Sequence, residues 1–127
     1  MEKANRFLAI LYAITLGVAE TAMNWGNWQY APLWFVDYFV VAWLLFGVLT
    51  RDREKSARIL IGAWAFALSM MYMALAIMTE PISGGVQEIS AEVVGFIGGF
   101  IATSIAGLVL SYKIGNKKHS VADGKDQ

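Results

Sequence analysis

The chain has 127 residues, 57% of them hydrophobic and 16% charged, where soluble domains sit nearer about 45–50% and about 25%. That length holds one domain, and that balance belongs to a membrane protein. Ten basic and ten acidic residues cancel, so the total charge implies no nucleic-acid partner.

There is no cysteine, which excludes disulfides, thiolate metal sites and thiol catalysis. The one histidine, His119, lies in a polar tail. Structural zinc, histidine ligation of haem and Ser–His chemistry inside a membrane are therefore unsupported. Neither a cofactor nor a metal is expected, and no catalytic set stands out.

Four apolar stretches follow one another, at about 7–23, 33–49, 59–78 and 93–112. Helices of ~17–20 residues rising 1.5 Å each reach ~25–30 Å, the thickness of a bilayer core. The expected fold is all-α: an integral membrane four-helix bundle, up-down-up-down, with both termini cytoplasmic.

The first span carries a row of small residues, Ala9, Ala13, Gly17 and Thr21. Lys3, Arg6, the apolar run and Gly17-Val18-Ala19 also fit a cleavable signal peptide, but the run is read here as a retained span. Glu20 sits near the helix C-terminus, where the dipole disfavours an anion. It projects from the small-residue side toward the bundle, with Asn24 one turn further on. Trp25, Trp28, Trp34 and Tyr38 crowd the same end. They are expected either as an aromatic belt at the headgroups or as the walls of an electronegative pocket for an organic cation.

In the second span Asp37 follows Pro32 by five residues. It is read near a first turn, where free N–H groups favour a carboxylate. Ser56 is expected to cap the third span, which carries no charge, and Pro81 to end it. Glu80 and Glu88 fall in the next connection, and Glu92 after Ser90 reads as an ordinary helix start.

The fourth span has the sharpest pattern. Gly95, Gly99, Thr103, Gly107 and Ser111 recur every four residues, with Gly98, Ala102 and Ala106 in a second row. Small residues at this spacing let helices approach closely in lipid. The first row is expected mainly to pack inside the bundle, and the second face leaves room for a partner. The polar tail at 113–127 is expected to be disordered.

All ten basic residues lie before the first span, between the second and third, or after the fourth. The connections 24–32 and 79–92 hold none, and the positive-inside rule orients the chain accordingly. Five of the ten acidic residues, Glu20, Asp37, Glu80, Glu88 and Glu92, gather on the opposite side. Each half of the chain thus has an acid ending one helix and another opening the next, a layout that a parallel duplication would give.

A four-span chain with a glutamate in its first helix resembles the small multidrug-resistance transporters in that respect alone. Glu20 stands too near the outer end, and no family is assigned. Three functions are open on these residues. The first is a non-catalytic accessory or assembly subunit, packing through the fourth helix in a homo-oligomer or larger membrane complex. The second is a small transporter or cation-binding bundle using Glu20, Asn24 and Asp37. The third is a membrane enzyme acting on a lipid or isoprenoid, with Glu20 and Asp37 as acid and base. The expected setting is the lipid bilayer of a prokaryotic plasma membrane.

Overall fold

The computed structural model describes residues 1–26, 31–79 and 90–116. Among them all regular structure is helical: α1 (Glu2–Asn24), α2 (Ala31–Leu49), α3 (Arg53–Thr79) and α4 (Ala91–Asn116). Glu2–Met23 of α1, α3 and α4 are long and apolar enough to cross a membrane, while the described apolar run of α2, Trp34–Leu49, is shorter. Trp28, Glu80, Pro81, Glu88, His119 and the tail from 117 to 127 lie outside the described residues.

The helices overrun the apolar stretches because polar residues extend them. Glu2 and Glu54 occupy the first turns of α1 and α3, where the dipole favours an anion. Ser56 is not the cap of α3. Asp52 is: its Oδ1 accepts the Lys55 N–H at 2.9 Å, and its carbonyl accepts the Ser56 N–H at 2.8 Å. A serine one turn inside a helix has its own backbone donor already engaged. The Ser56 hydroxyl instead donates to the Gly47 carbonyl of α2 at 2.7 Å. Ser90 and Glu92 do open α4, the Val93 N–H approaching Ser90 Oγ at 3.4 Å and its carbonyl oxygen at 3.1 Å. At the other end α4 runs on through Lys113 to Asn116, with Ile114 buried. Residues 113–116 therefore belong to the packed helix and not to a disordered tail.

Each helix packs on its neighbour in chain order, and α4 closes the ring onto α1. The inward face of α3 is Leu60, Ala63, Trp64, Ala67 and Met71; that of α4 is Ile97, Phe100, Ser104, Gly107, Ser111 and Ile114. Those spacings of three and four are what a one-sided helix requires. Trp64 is fully buried and meets the Tyr12 ring edge-on, centroids 5.2 Å apart; Tyr12 meets Phe100 the same way at 4.6 Å.

Two glycines let backbones close in around this centre. A Cβ on Gly107 would overlap the Trp64 indole, and one on Gly47 would stand 2.7 Å from Leu60 Cδ2. Among the described residues, Leu16, Val40, Met71 and Ile97 are the last buried ones on their helices toward the acidic end. Past them, no described side chain in 17–23, 34–39, 72–79 or 91–96 is buried.

Candidate functional site

The core-facing line of α1 runs through Ala9, Ala13 and Leu16, and one turn on it reaches Glu20. On α2 the line through Leu44 and Val40 reaches Asp37 in the same way. Both carboxylates are half-buried, and they lie near enough for the charge of Glu20 to act on Asp37. Helix α2 starts at Ala31, so Asp37 is at the end of its second turn and not near the first. The free N–H groups expected to favour it are out of reach. Asp37 thus joins Glu20 as a carboxylate that helix-end electrostatics does not explain.

Trp34 and Tyr38 pack edge-on within α2, centroids 5.8 Å apart, whereas Trp25, just past the end of α1, is 83% exposed. Asn24 closes α1, but its side chain, like Trp28, lies outside what is described. Tyr38 also ties α2 to α1. The Thr21 hydroxyl lies 2.6 Å from both the Gly17 carbonyl and the Tyr38 hydroxyl. A threonine has one proton to give, so with that proton on Gly17 the Tyr38 O–H donates to Thr21. This pair borders an open groove of about 590 Å³ between α1 and α2, lined by Ala13, Gly17, Thr21, Trp25, Tyr38 and Val41 among others. Neither Glu20 nor Asp37 lines it.

Two carboxylates at the same end of neighbouring helices are the kind of group a hard cation takes, since hard cations take oxygen ligands. Among the described residues no three His, Cys, Asp or Glu side chains converge as a metal set.

The four-residue row on α4 divides in two. Gly107 and Ser111 are buried in the bundle. Gly95 and Gly99 are exposed, and a Cβ added at either, or at Gly98, would meet nothing within 4 Å. Thr103 lies between, its hydroxyl donating back to the Gly99 carbonyl at 2.8 Å. With exposed Ala102 and Ala106, Gly95 and Gly99 form an outward stripe of small residues at spacings of four, three and four.

A cluster at the basic end carries no sequence motif. Asn5 is 1% exposed. Its Nδ2 donates to Ser111 Oγ at 2.8 Å, and its Oδ1 accepts the Trp64 Nε1–H at 3.2 Å. One amide thereby joins α1, α3 and α4. Beside it Arg6 donates to the Val48 and Thr50 carbonyls at 3.1 and 3.0 Å, satisfying the end of α2. Arg6 and Arg53 both pair with Glu2, at 3.3 and 3.4 Å. The available signal is spacing: Asn5 stands four residues before Ala9 on the core-facing line of α1.

No known protein family matches this chain, and no curated protein or solved structure does either.

Proposed function

We propose that the chain is an integral membrane protein of four up-down-up-down spans with both termini cytoplasmic, serving as a non-catalytic assembly subunit that packs through α4. The apolar outward faces of all four helices support the membrane setting. Phe7, Phe35, Phe46, Tyr72, Ile77 and Ile105 are among the exposed large side chains, a surface too apolar for a water-soluble monomer. Helix α2, with 19 residues, reaches about 28 Å at 1.5 Å per residue, enough for a bilayer core.

Residue pairing supports the up-down course. Arg6 meets Val48 while Thr21 meets Tyr38, and Asn5 meets Ser111 while Tyr12 meets Phe100. In each pair, ascending numbers on α1 meet descending numbers on the neighbour. The distribution of all ten basic residues supports the orientation. Because the chain has no cysteine, single cysteines can test it. Lys3→Cys and Arg51→Cys should react only with reagent admitted to the cytoplasmic side, and Ser90→Cys from outside. The reverse pattern would overturn the orientation.

The open outer half of the α4 stripe carries the assembly reading. Among the described residues nothing occupies the space a Cβ at Gly95 or Gly99 would take, and small residues at this spacing are what close helix approach in lipid uses. Gly99→Cys bearing a benzophenone label should photocrosslink a protein neighbour in native membranes. The same label on Phe46→Cys, exposed on α2, should not. Lipid adducts alone at both positions would end this reading.

The proximity of Glu20 and Asp37 favours a second reading, a cation-binding bundle. It requires a thermal shift with cations or quaternary amines in the wild type that Glu20→Gln abolishes. No shift with any of them in the wild type would dismiss it.

A further inference from the structure

At the basic end the described residues include seven cations, Lys3, Arg6, Arg51, Arg53, Lys55, Arg58 and Lys113, and three acids, Glu2, Asp52 and Glu54. The surplus is 7 − 3, or four positive charges. The acids are already committed: Glu2 pairs with Arg6 and Arg53, Glu54 with Arg58, and Asp52 caps α3. That leaves Lys3, Arg51, Lys55 and Lys113, which are exposed and make no ion pair among the described residues. They come from separate places in the chain. Lys3 is in the first turn of α1, Arg51 and Lys55 flank the start of α3, and Lys113 is in the last turn of α4.

We infer that these four residues form a collar that recruits anionic phospholipid headgroups. The inference rests on the membrane reading above. Each cation stands at the end of an apolar helix, at the depth where a bilayer presents its phosphodiesters, and a long aliphatic stem lets the charge reach them. The charge complementarity is one-sided: the acidic end, with Glu20, Asp37 and Glu92, has no described cation to offer a phosphate. A free phosphate offers the same chemistry, but a bilayer fixes many such groups at the level of the collar. Near an anionic surface each lysine or arginine contributes roughly a fivefold gain in binding.

The test is lipid retention by native mass spectrometry. Full-length protein is released from nanodiscs of equal parts phosphatidylcholine and phosphatidylglycerol. Wild type should keep phosphatidylglycerol in clear excess, and raising the salt should erode that excess as screening sets in. Lys3→Gln, Arg51→Gln, Lys55→Gln and Lys113→Gln should each lower it, by up to roughly fivefold. Single substitutions leave nine basic residues to orient the chain, so a lost preference is not a lost fold. Arg58→Gln, which removes a cation paired with Glu54, should lower it less.

Equal retention of the two lipids by wild type would overturn the inference. So would a preference that inorganic phosphate abolishes at an ionic strength where chloride does not, or one lost only when RNA or an acidic protein is removed from the preparation. Extraction with alkaline carbonate separates the two failures. Release from the membrane would defeat the membrane reading itself, while a retained protein without lipid preference defeats the collar alone.

Discussion

The two ends of the bundle are built differently. Toward the basic end, Asn5 joins three helices, Arg6 satisfies the end of α2, Ser56 reaches across to Gly47, and Gly107 admits Trp64. Toward the acidic end the described side chains are half-buried or exposed, Glu20 and Asp37 stand on neighbouring helices, and a Cβ added at Gly95 or Gly99 of α4 would meet nothing within 4 Å. In lipid, burying hydrocarbon against a neighbouring helix gains little over burying it against acyl chains. Hydrogen bonds and close backbone approach decide which helices associate. Among the described residues most of these hydrogen bonds between helices lie toward the basic end, with that of Thr21 and Tyr38 the exception at the other. Among the described residues the helices are tied together mainly at the basic end, and the assembly and cation-binding readings proposed above both draw on the acidic one.

Substitutions break this contrast in graded steps. Gly107→Leu should be the most damaging, because its side chain must occupy the volume of the Trp64 indole. Overpacking of a core costs about 1–3 kcal/mol and occasionally more, so thermal unfolding in detergent should show a large drop or no folded protein. Asn5→Ala should follow, leaving Trp64 Nε1–H and Ser111 Oγ without their partner; an unmet buried polar group costs about 1–3 kcal/mol. Asn5→Gln should not rescue it, since the longer amide cannot hold the same two positions.

Arg6→Gln should cost about 1 kcal/mol. It frees two helix-end carbonyls but removes only one ion pair, to Glu2, that is partly solvated and contributes little. Asp37→Asn should be mildly stabilising, by under about 1 kcal/mol, because it removes repulsion with Glu20. A marked destabilisation by Asp37→Asn would show that its charge is held by an unrecognised partner.

The four helices were legible in the sequence because apolar runs of about 17–20 residues have few uses other than a helix. Their ends were less so, since hydropathy registers the apolar middle and not the polar turns that carry α1 back to Glu2 and α3 back to Arg53. Ser56 looked like a cap because it precedes the apolar run, but Asp52 starts the helix four residues earlier. Asp37 looked like a helix-start carboxylate on the assumption that α2 begins near Leu33. Its actual start at Ala31 moves Asp37 out of the first turn.

Glu20 was legible as a charge on the bundle-facing side. Asn5 was not, because a single polar residue before a span carries no pattern until its partners, 59 and 106 residues away, are brought to it. The α4 rows were visible as rows, but a repeat of four cannot say which glycines a neighbouring helix will cover. Only the fold separates Gly107 from Gly99.

That separation is also where the assembly reading is most exposed. Wild type and Gly99→Leu can be compared for migration on native gels in mild detergent, with thermal unfolding measured alongside. Gly99→Leu should unfold like wild type, within about 0.5 kcal/mol as for surface positions, yet migrate as a smaller species stripped of its neighbour. If it migrates with wild type, α4 does not hold a partner, and the open glycine stripe has no part in assembly.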